Sequence, residues 1–347
     1  MSIWHLLFFN GMANAFLIYL IAAIARLARP AFRLGKPIKI LLVGYNGAGN
    51  TGADVRTAAI ARSEDSLEAL KRLGLKGHAG TDAAWFYDGA VSPAEAERLL
   101  RSRGWDGKKP LLGIAVIDPF CWPVRPSLLR WLRGTLGKAV SGQHGRGESL
   151  PGQHGRRESL PGQYDRWYFF TDSPKRRKAF RRYLREVASG VNHFLERHDF
   201  YPVLIGMERL DAEACRRLRE QLICPGAIFL SGEHPAGEMT GVLRRLSALV
   251  TSRYHAAVLS MENGCPIIVV SMDERLDGLM KETFTEEEFL FHTTEKALGR
   301  KIFKALEEAY SGKDEIRKQI LRQVRRNREV IIRMGNFLHT YLVNGSH

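Results

Sequence analysis

Residues 249–275 read LVTSRYHAAVLSMENGCPIIVVSMDER, and this stretch decides the fold that the sequence predicts. Residues 250–252 close a short strand, and a helix is expected over residues 256–263, where glycine and proline follow it. Residues 266–271 are apolar and β-branched, a composition typical of a central strand in a parallel sheet. The stretch therefore predicts two parallel strands joined by a helix, with the turn Arg253-Tyr254-His255 at the end of the first strand.

Polar and charged side chains follow both of these strands. Arg253 and His255 come after the first strand, whereas Ser271 ends the second and Arg275 follows it. Because ligands of open α/β sheets bind outside the carboxyl ends of the strands, Arg253 and His255 are expected to share one anion pocket with Asp273 and Arg275. Ser271 is a further candidate donor-binding residue. An arginine can bind a phosphate or carboxylate, and His255 can donate to the anion or move a proton. In the alternative interpretation, Arg253 pairs with Asp273 and His255 only begins a helix.

The same alternation of strands and helices runs along much of the chain. Buried strands are predicted over residues 110–117 and 201–207, and helices over residues 92–103 and 211–222. This order predicts an α/β protein with Rossmann-type parallel sheets.

A glycine-rich loop follows another predicted strand, residues 38–43. Its candidate ligand-binding residues are Gly44, Gly47, Gly49, Asn50 and Gly52. Glycines let the backbone approach a ligand, and the N–H groups at the start of the next helix attract anions. The alternative is a tight turn that only packs the helix on the sheet.

The sequence predicts a hydrophobic membrane-anchor helix over residues 1–28. From Ile3 to Ile24 there is no Asp, Glu, Lys or Arg, and a helix of about 22 residues rises roughly 33 Å, enough to span a bilayer core. Basic residues follow this run but do not precede it, which predicts a single N-terminal anchor with the remaining chain on the cytoplasmic face of the membrane. An interfacial helix and a cleaved signal peptide are the alternatives.

The net charge of +15 and a pI near 9.8 suggest an anionic partner. Nucleic acid, an anionic membrane surface and small anionic substrates all fit such a charge. We do not expect nucleic acid, because the sequence has neither zinc-finger spacing nor an RNP-like aromatic run. The helix that opens with residues 175–184 has a basic face, which is either simply solvated or in contact with anionic lipid head groups.

A ten-residue unit recurs between residues 141 and 166, and each copy contains a single large apolar residue. Such a segment cannot form a core of its own, which predicts a surface insertion. No metal site is predicted from His144 and His154, because they lack cysteine or carboxylate partners at fixed spacing. The four cysteines show no C-x2-C spacing, and we expect buried, unreactive thiols.

These motifs together resemble the polysaccharide pyruvyl transferase family. The resemblance lies in the glycine loop of residues 44–52, in residues 62–87, and in the motifs at residues 251–255, 264–267 and 271–275. It covers most of the chain after residue 38 apart from the repeats. It implies a GT-B-like fold of two α/β domains and a transferase of exopolysaccharide biosynthesis. The implied reaction moves a pyruvyl group from phosphoenolpyruvate to sugar hydroxyls of a cell-surface glycan or its lipid-linked precursor.

The resemblance also implies roles for individual residues. The R-x-H motif of the family engages the donor, so Arg253 would bind the phosphate or carboxylate of phosphoenolpyruvate, and His255 would orient it or act as acid and base. Arg275 stands where the family usually has a basic residue. Phosphoenolpyruvate is then the donor substrate, with no cofactor. Only residues 54–61 separate the glycine loop from the next matching segment, which implies a shortened N-terminal domain.

The expected organisation has four parts. They are an anchor helix over residues 1–28, a shortened N-terminal α/β domain over 37–108, a donor-binding domain over 109–335 that contains the repeats, and a tail over 336–347. Two other functions fit the same pattern. One is a GT-B glycosyltransferase that uses a nucleotide sugar, with Glu274 as the candidate ligand of the ribose. The other is a truncated, non-catalytic family member kept at the membrane.

Overall fold

The computed structural model describes residues 59–61, 67–68, 71–72, 77–121, 125–132, 163–165, 168–170, 173–284 and 287–344. The predicted anchor helix, the glycine loop and most of the repeat insertion lie outside these ranges. Within them, no helix combines the length and the apolar character that crossing a membrane requires.

The chain divides into two compact units. The first comprises residues 1–86 together with 325–347, and the second comprises residues 87–324. The predicted boundary at residue 108 differs from this division, because the helix of residues 93–102 groups with the second unit.

The first unit contains a pair of parallel strands, β1 (Ala59–Ala61) and β2 (Gly77–Ala79). A 3-10 turn over Ala83–Phe86 follows and contains the buried Trp85. The Trp85 carbonyl accepts a hydrogen bond from Arg328 at 3.3 Å, which ties the turn to the C-terminal helix of this unit.

The elements of the second unit alternate between helices and strands. In chain order they are α1 (Pro93–Ser102), β3 (Leu111–Ala115), β4 (Arg125–Pro126), β5 (Gln163–Asp165), β6 (Tyr168–Phe169), α2 (Pro174–Leu195), β7 (Tyr201–Gly206), α3 (Ala212–Arg219), β8 (Ala227–Leu230), α4 (Ala236–Leu243), β9 (Ala248–Thr251), α5 (Tyr254–Met261), β10 (Ile267–Ser271), α6 (Glu274–Thr283), β11 (Leu290–His292), α7 (Leu298–Ser311) and α8 (Lys313–Asn344), the last of which continues into the first unit.

Six parallel strands form the main sheet in the order β11-β10-β9-β3-β7-β8. From β3 the chain winds to one side through β7 and β8, then returns and winds to the other side through β9, β10 and β11. This is the doubly wound order, and its direction reverses between β3 and β9. The predicted α/β class with a parallel sheet is therefore confirmed.

The central strands of this sheet are buried. Every residue of β3, β9 and β10 is buried, which explains why these strands are continuous apolar runs. A smaller antiparallel sheet in the order β4-β6-β5 lies elsewhere in the unit. Its strand β5 contains part of the last, degenerate repeat copy, so this part of the predicted insertion is paired.

Several element boundaries differ from the sequence prediction by one to three residues. The helix expected over residues 256–263 is α5, which begins at Tyr254 because Arg253, with φ −115° and ψ 116°, is its N-cap in an extended conformation. The helix expected over residues 211–222 is the shorter α3, because a 3-10 turn over Arg209–Asp211 precedes it. Local composition does not fix such ends.

Helices α2 and α7 pack with their backbones in close approach. A Cβ atom on Gly190 of α2 would lie 2.5 Å from the carbonyl oxygen of Gly299 in α7. A Cβ on Gly299 would lie 2.7 Å from the Glu186 carbonyl oxygen. The backbone N–H of Gly299 also donates to the Glu186 carboxylate at 2.9 Å. Glycine is therefore required at both positions by space and not by backbone conformation.

We expect Gly190→Ala to lower the free energy of unfolding by about 1–3 kcal/mol, because the added methyl group meets a backbone atom that cannot move by itself. The matched control is Gly278→Ala in α6, where a Cβ would meet nothing within 4 Å. There alanine should be neutral or stabilise by up to about 1 kcal/mol through helix propensity. Urea unfolding of both variants measures the difference, and equal effects would contradict the close packing of α2 on α7.

Candidate active site

The predicted Arg253 lies just beyond β9, at the point where the winding of the sheet reverses. Its guanidinium group binds the carboxylate of Asp211 with two nitrogens, and the Nε–Oδ2 distance is 2.9 Å. Asp211 ends the turn that follows β7, and its side chain is completely buried. Because β3 lies between β7 and β9, this ion pair joins the ends of two strands that are not neighbours.

A second carboxylate faces the same guanidinium group. Glu208 lies 3.2 Å from Nη2 of Arg253, and its side chain is 53% exposed. Burial by itself lowers the pKa of Arg253, but the carboxylates of Asp211 and Glu208 outweigh this effect, and the pKa is raised. Arg253 is therefore a fixed cation at the switch point, the place between β3 and β9 where the winding of the sheet reverses.

The alternative pairing of Arg253 with Asp273 does not occur. Asp273 is the N-cap of α6, and its carboxylate accepts hydrogen bonds from the backbone N–H groups of Arg275 and Leu276. The same carboxylate binds the Arg275 side chain, with an Nε–Oδ2 distance of 3.1 Å. The sequence suggested Asp273 because it follows the very next strand, but sheet order and capping assign Arg253 to Asp211 instead.

Ser271 and Arg275 lie at the carboxyl end of β10, beside the end of β9. The hydroxyl of Ser271 donates to the backbone oxygen of Asp273 at 3.0 Å, so it shapes the strand-to-helix turn. The guanidinium carbon of Arg275 lies 5.9 Å from the ring centre of Tyr254, the residue between Arg253 and His255. The fold thus brings the four predicted side chains to adjacent strand ends, although Ser271 and Arg275 are engaged within their own turn.

His255 lies in the first turn of α5, and its side chain is exposed. Its ring contacts that of Tyr254, with the centroids 5.4 Å apart. The N-cap residue, Arg253, does not cap this helix with its own side chain. The N-terminus of α5 therefore presents backbone N–H groups at the same edge of the sheet as Arg253, an arrangement that favours anions.

Buried hydroxyl groups form the floor beneath Arg253. The Tyr183 hydroxyl of α2 lies 2.9 Å from the hydroxyl of Ser252, and both side chains are buried. Thr251 accepts a hydrogen bond from the backbone N–H of Arg253 at 2.8 Å and donates to the backbone oxygen of Ala115 at 3.2 Å. These contacts hold the Arg253 backbone against the end of β3.

The sequence reasoning missed Asp118, the first acidic residue after β3. It is half-buried, and its carboxylate accepts a hydrogen bond from the backbone N–H of Phe120 at 2.9 Å. Burial raises the pKa of Asp118 despite that hydrogen bond. Burial raises the pKa of the Tyr183 hydroxyl, the charges of Asp211 and Asp118 add to the rise, and Arg253 opposes it. An acid directly after a buried strand was the signal available in the sequence.

Sequence reasoning also missed the buried acid Asp211. Its signal was weaker than that of Asp118, because the residue stands inside a helix-like pattern five residues after β7.

The cysteines behave largely as expected. All four are reduced, Cys215 and Cys265 are buried, and burial raises the pKa of Cys121, Cys215 and Cys265 to about 12.

A cavity of about 570 Å³ lies at the opposite, amino-terminal edge of the sheet. Its lining includes Pro110 before β3, Ala248 at the start of β9 and Pro266 before β10. None of the four predicted site residues lines it. In the described part of the chain, no cluster of three or more histidine, cysteine or acidic residues could hold a metal ion.

We expect Asp211→Ala to lower the free energy of unfolding by about 3–5 kcal/mol, because it leaves a largely buried guanidinium group without its main partner. Glu208→Ala removes the exposed partner of the same guanidinium and should cost less than about 1 kcal/mol. Denaturant unfolding of the two variants measures both values. A loss for Glu208→Ala as large as that for Asp211→Ala would contradict the assignment of Asp211 as the principal partner.

Several solved structures of sugar-transferring enzymes are similar to this chain. A glycosyltransferase from Rickettsia africae is 10% identical, with a TM-score of 0.44 over 83% of this chain and 64% of that one. A UDP-forming α,α-trehalose-phosphate synthase from Burkholderia xenovorans is 12% identical, with a TM-score of 0.39 over 84% of this chain and 62% of that one. A family 9 glycosyl transferase from Veillonella parvula is 13% identical, with a TM-score of 0.32, over 74% and 59%. The chain spans about three fifths of the length of each.

No curated protein matches the sequence. The family described as polysaccharide pyruvyl transferase matches residues 56–274, which is more than half of the 347 residues. The matched region contains Asp118, Asp211 and the Arg253-Tyr254-His255 turn, which are the residues described above near the switch point. The chain belongs to the polysaccharide pyruvyl transferase family.

Proposed function

We propose that this protein transfers a pyruvyl group from phosphoenolpyruvate to two hydroxyl groups of a sugar, on a cell-surface glycan or its lipid-linked precursor. The observation that supports this most strongly is an arginine and a histidine, spaced R-x-H, at the switch point of a doubly wound sheet in a chain of this family. Phosphoenolpyruvate carries a phosphate and a carboxylate, and both suit arginine side chains and a helix N-terminus.

The proposed reaction requires both a proton donor and a proton acceptor. One sugar oxygen adds to C2 of phosphoenolpyruvate while C3 takes up a proton and becomes a methyl group. The second sugar oxygen then bonds to C2 as the C2–O bond to phosphate breaks, and the phosphate leaves with the electron pair. Both hydroxyl protons must be accepted by a base; an acid delivers one proton to C3, and the second can leave with the phosphate.

Three residues near the switch point suit these tasks. Arg253 binds the donor, because an arginine has five N–H donors and the contact with Asp211 occupies two of its three nitrogens. His255, exposed in the first turn of α5, orients the donor or exchanges protons with it. Asp118, whose pKa is raised by burial, is a second candidate acid.

Arg275 and Ser271 support the site from the neighbouring strand. Arg275 lies over Tyr254 and can turn from Asp273 toward a second anionic group of the donor. Asp211 acts through Arg253 as a positioning residue, because it fixes the plane of the guanidinium group. The glycine loop of residues 44–52 stays a candidate ligand-binding segment. We propose no metal ion or cofactor beyond the donor substrate.

Calorimetric titration of the full chain with phosphoenolpyruvate tests the donor site. Arg253→Lys keeps a positive charge beside Asp211 but loses the planar fork of donors, so it should weaken binding about tenfold or more. The matched control is Arg98→Lys, an exposed arginine of α1 paired with Glu95. It should bind as tightly as the unaltered chain.

Three outcomes of this titration would count against the proposal. Unchanged binding by Arg253→Lys would refute the donor site. Tight binding of a nucleotide sugar in place of phosphoenolpyruvate would favour a glycosyltransferase that holds the ribose through Glu274. Binding of neither ligand would favour a non-catalytic member of the family.

We also propose that residues 1–28 anchor the protein to the cytoplasmic face of the membrane, beside lipid-linked acceptors. Deletion of residues 1–30 should convert the protein from a form that resists extraction by high salt to one that high salt removes, because a spanning helix is held by apolar burial and not by charge. Fractionation of cell membranes with and without salt measures this change. Resistance to salt after the deletion would refute the anchor.

A further inference from the structure

We propose that the second unit carries its own surface for anionic membranes, formed by the start of α2 and the short helical segment of residues 128–132. The contact depends neither on catalytic activity nor on the predicted anchor helix. Its expected ligand is a bilayer that exposes negatively charged lipid head groups.

The first part of the surface is a basic face on α2. The exposed side chains of its first three turns are almost all cationic: Lys175, Arg177, Lys178, Arg181, Arg182 and Arg185. The core-facing residues Phe180, Tyr183, Leu184 and Val187 occupy the opposite side of the helix. Since residues three and four apart share a helix face, the positive charges form one continuous stripe directed away from the core.

In the described part of the chain, acidic side chains do not pair with four of these six cations. Glu186 is the first acidic residue of α2, and its carboxylate is engaged with the backbone of Gly299. Within the described ranges, no ion pair joins Lys175, Lys178, Arg181 or Arg185 to a carboxylate. Some exposed cations elsewhere on the unit do pair, as Lys304 does with Glu308 and Lys318 with Glu315.

The second part of the surface is apolar. Leu128 and Leu129 are each 58% exposed and Leu132 is 39% exposed. They lie within one short helical segment, and the spacing of residues 128 and 132 places these two leucines on one side. Scattered exposed leucines are ordinary, but three in one helical segment form a patch that water does not favour.

The two parts are tied together by Arg130. Its guanidinium carbon lies 4.8 Å from the ring centre of Phe169, and its Nη1 donates to the carbonyl oxygen of Phe170 at 3.2 Å. Phe170 is only four residues before Pro174, the first residue of α2. Arg130 therefore links the leucine-bearing segment to residues that shortly precede the basic stripe.

Charge and apolar exposure together select the partner. Anionic head groups attract lysine and arginine near the membrane surface, and leucine side chains can enter the boundary between head groups and acyl chains. A nucleic acid would use the cations but would gain nothing from exposed leucines. An acidic protein would need a complementary apolar surface of its own, whereas any fluid bilayer supplies one.

Photo-crosslinking of the full chain in lipid nanodiscs tests the surface residue by residue. One set of discs contains a photoactivatable phosphatidylglycerol, and the other contains the phosphatidylcholine analogue. Mass spectrometry of chymotryptic peptides locates the cross-links. We expect cross-links on residues 125–132 and 174–185 with the anionic lipid, together with any in the predicted anchor helix, which serve as an internal reference.

Two variants separate the contributions of charge and apolar contact. The triple variant Lys178→Glu, Arg181→Glu and Arg185→Glu should lower the yield in these two segments about tenfold or more, because each change replaces attraction with repulsion. The double variant Leu128→Ser, Leu129→Ser should also lower the cross-linking yield, although it leaves the basic stripe intact. The matched control, Lys304→Glu, Lys318→Glu and Arg322→Glu, changes the same number of exposed charges elsewhere and should leave the yield unaltered.

Several results would overturn the proposal. Equal cross-linking to the zwitterionic lipid, or cross-links confined to the predicted anchor helix, would exclude a charged membrane surface on the second unit. An unchanged yield in the triple variant, with its circular dichroism and unfolding midpoint intact, would do the same. A further contrary result is that double-stranded DNA at an equal phosphate concentration abolishes the cross-linking while the leucine changes have no effect. That result would indicate a general polyanion surface instead.

Discussion

The ion pair between Arg253 and Asp211 is the constraint on which the candidate site depends. It connects the end of β9 to the end of β7 across the intervening β3, so it sets the positions of three strand ends at once. Burying two charges is costly, and the pair is retained only because hydrogen bonds satisfy both partners. Asp211 also accepts from the backbone N–H of Glu208 at 3.0 Å, which fixes the turn after β7 to the same carboxylate.

The charge balance at this edge of the sheet limits what can bind there. Three carboxylates, those of Glu208, Asp211 and Asp273, lie around the two guanidinium groups of Arg253 and Arg275. A small anion therefore cannot rely on net positive charge. It needs the oriented donors that Arg253 retains and the backbone N–H groups at the start of α5. Asp118, whose pKa is raised by burial, would suit the acid that the proposed pyruvyl transfer requires.

Part of the positive charge of the chain lies elsewhere. The exposed cations on α2 face away from the core on the helix that also supplies Tyr183 to the floor of the site. One helix thus has a buried face that supports Ser252 and an exposed face for which we propose the contact with anionic lipids. The seven basic residues of α2 and its single glutamate contribute +6 to the net charge of +15.

The sequence by itself determined the elements and part of the site. Apolar, β-branched runs specify buried strands wherever they occur, so the parallel α/β class and the R-x-H turn at the end of β9 could be predicted from composition and spacing. Boundaries were accurate only to a few residues, because capping by Arg253 and Asp273 depends on backbone conformation.

Only the tertiary structure decided which of these elements meet. The sequence offered Asp273 as the partner of Arg253 because β10 comes next along the chain, but the doubly wound order brings the end of β7 within reach of Arg253. It likewise placed Asp118 and Tyr183 beside the same turn, and it required glycine where α2 crosses α7. Strand order is set by crossovers and long-range packing, which the local composition of a segment does not encode.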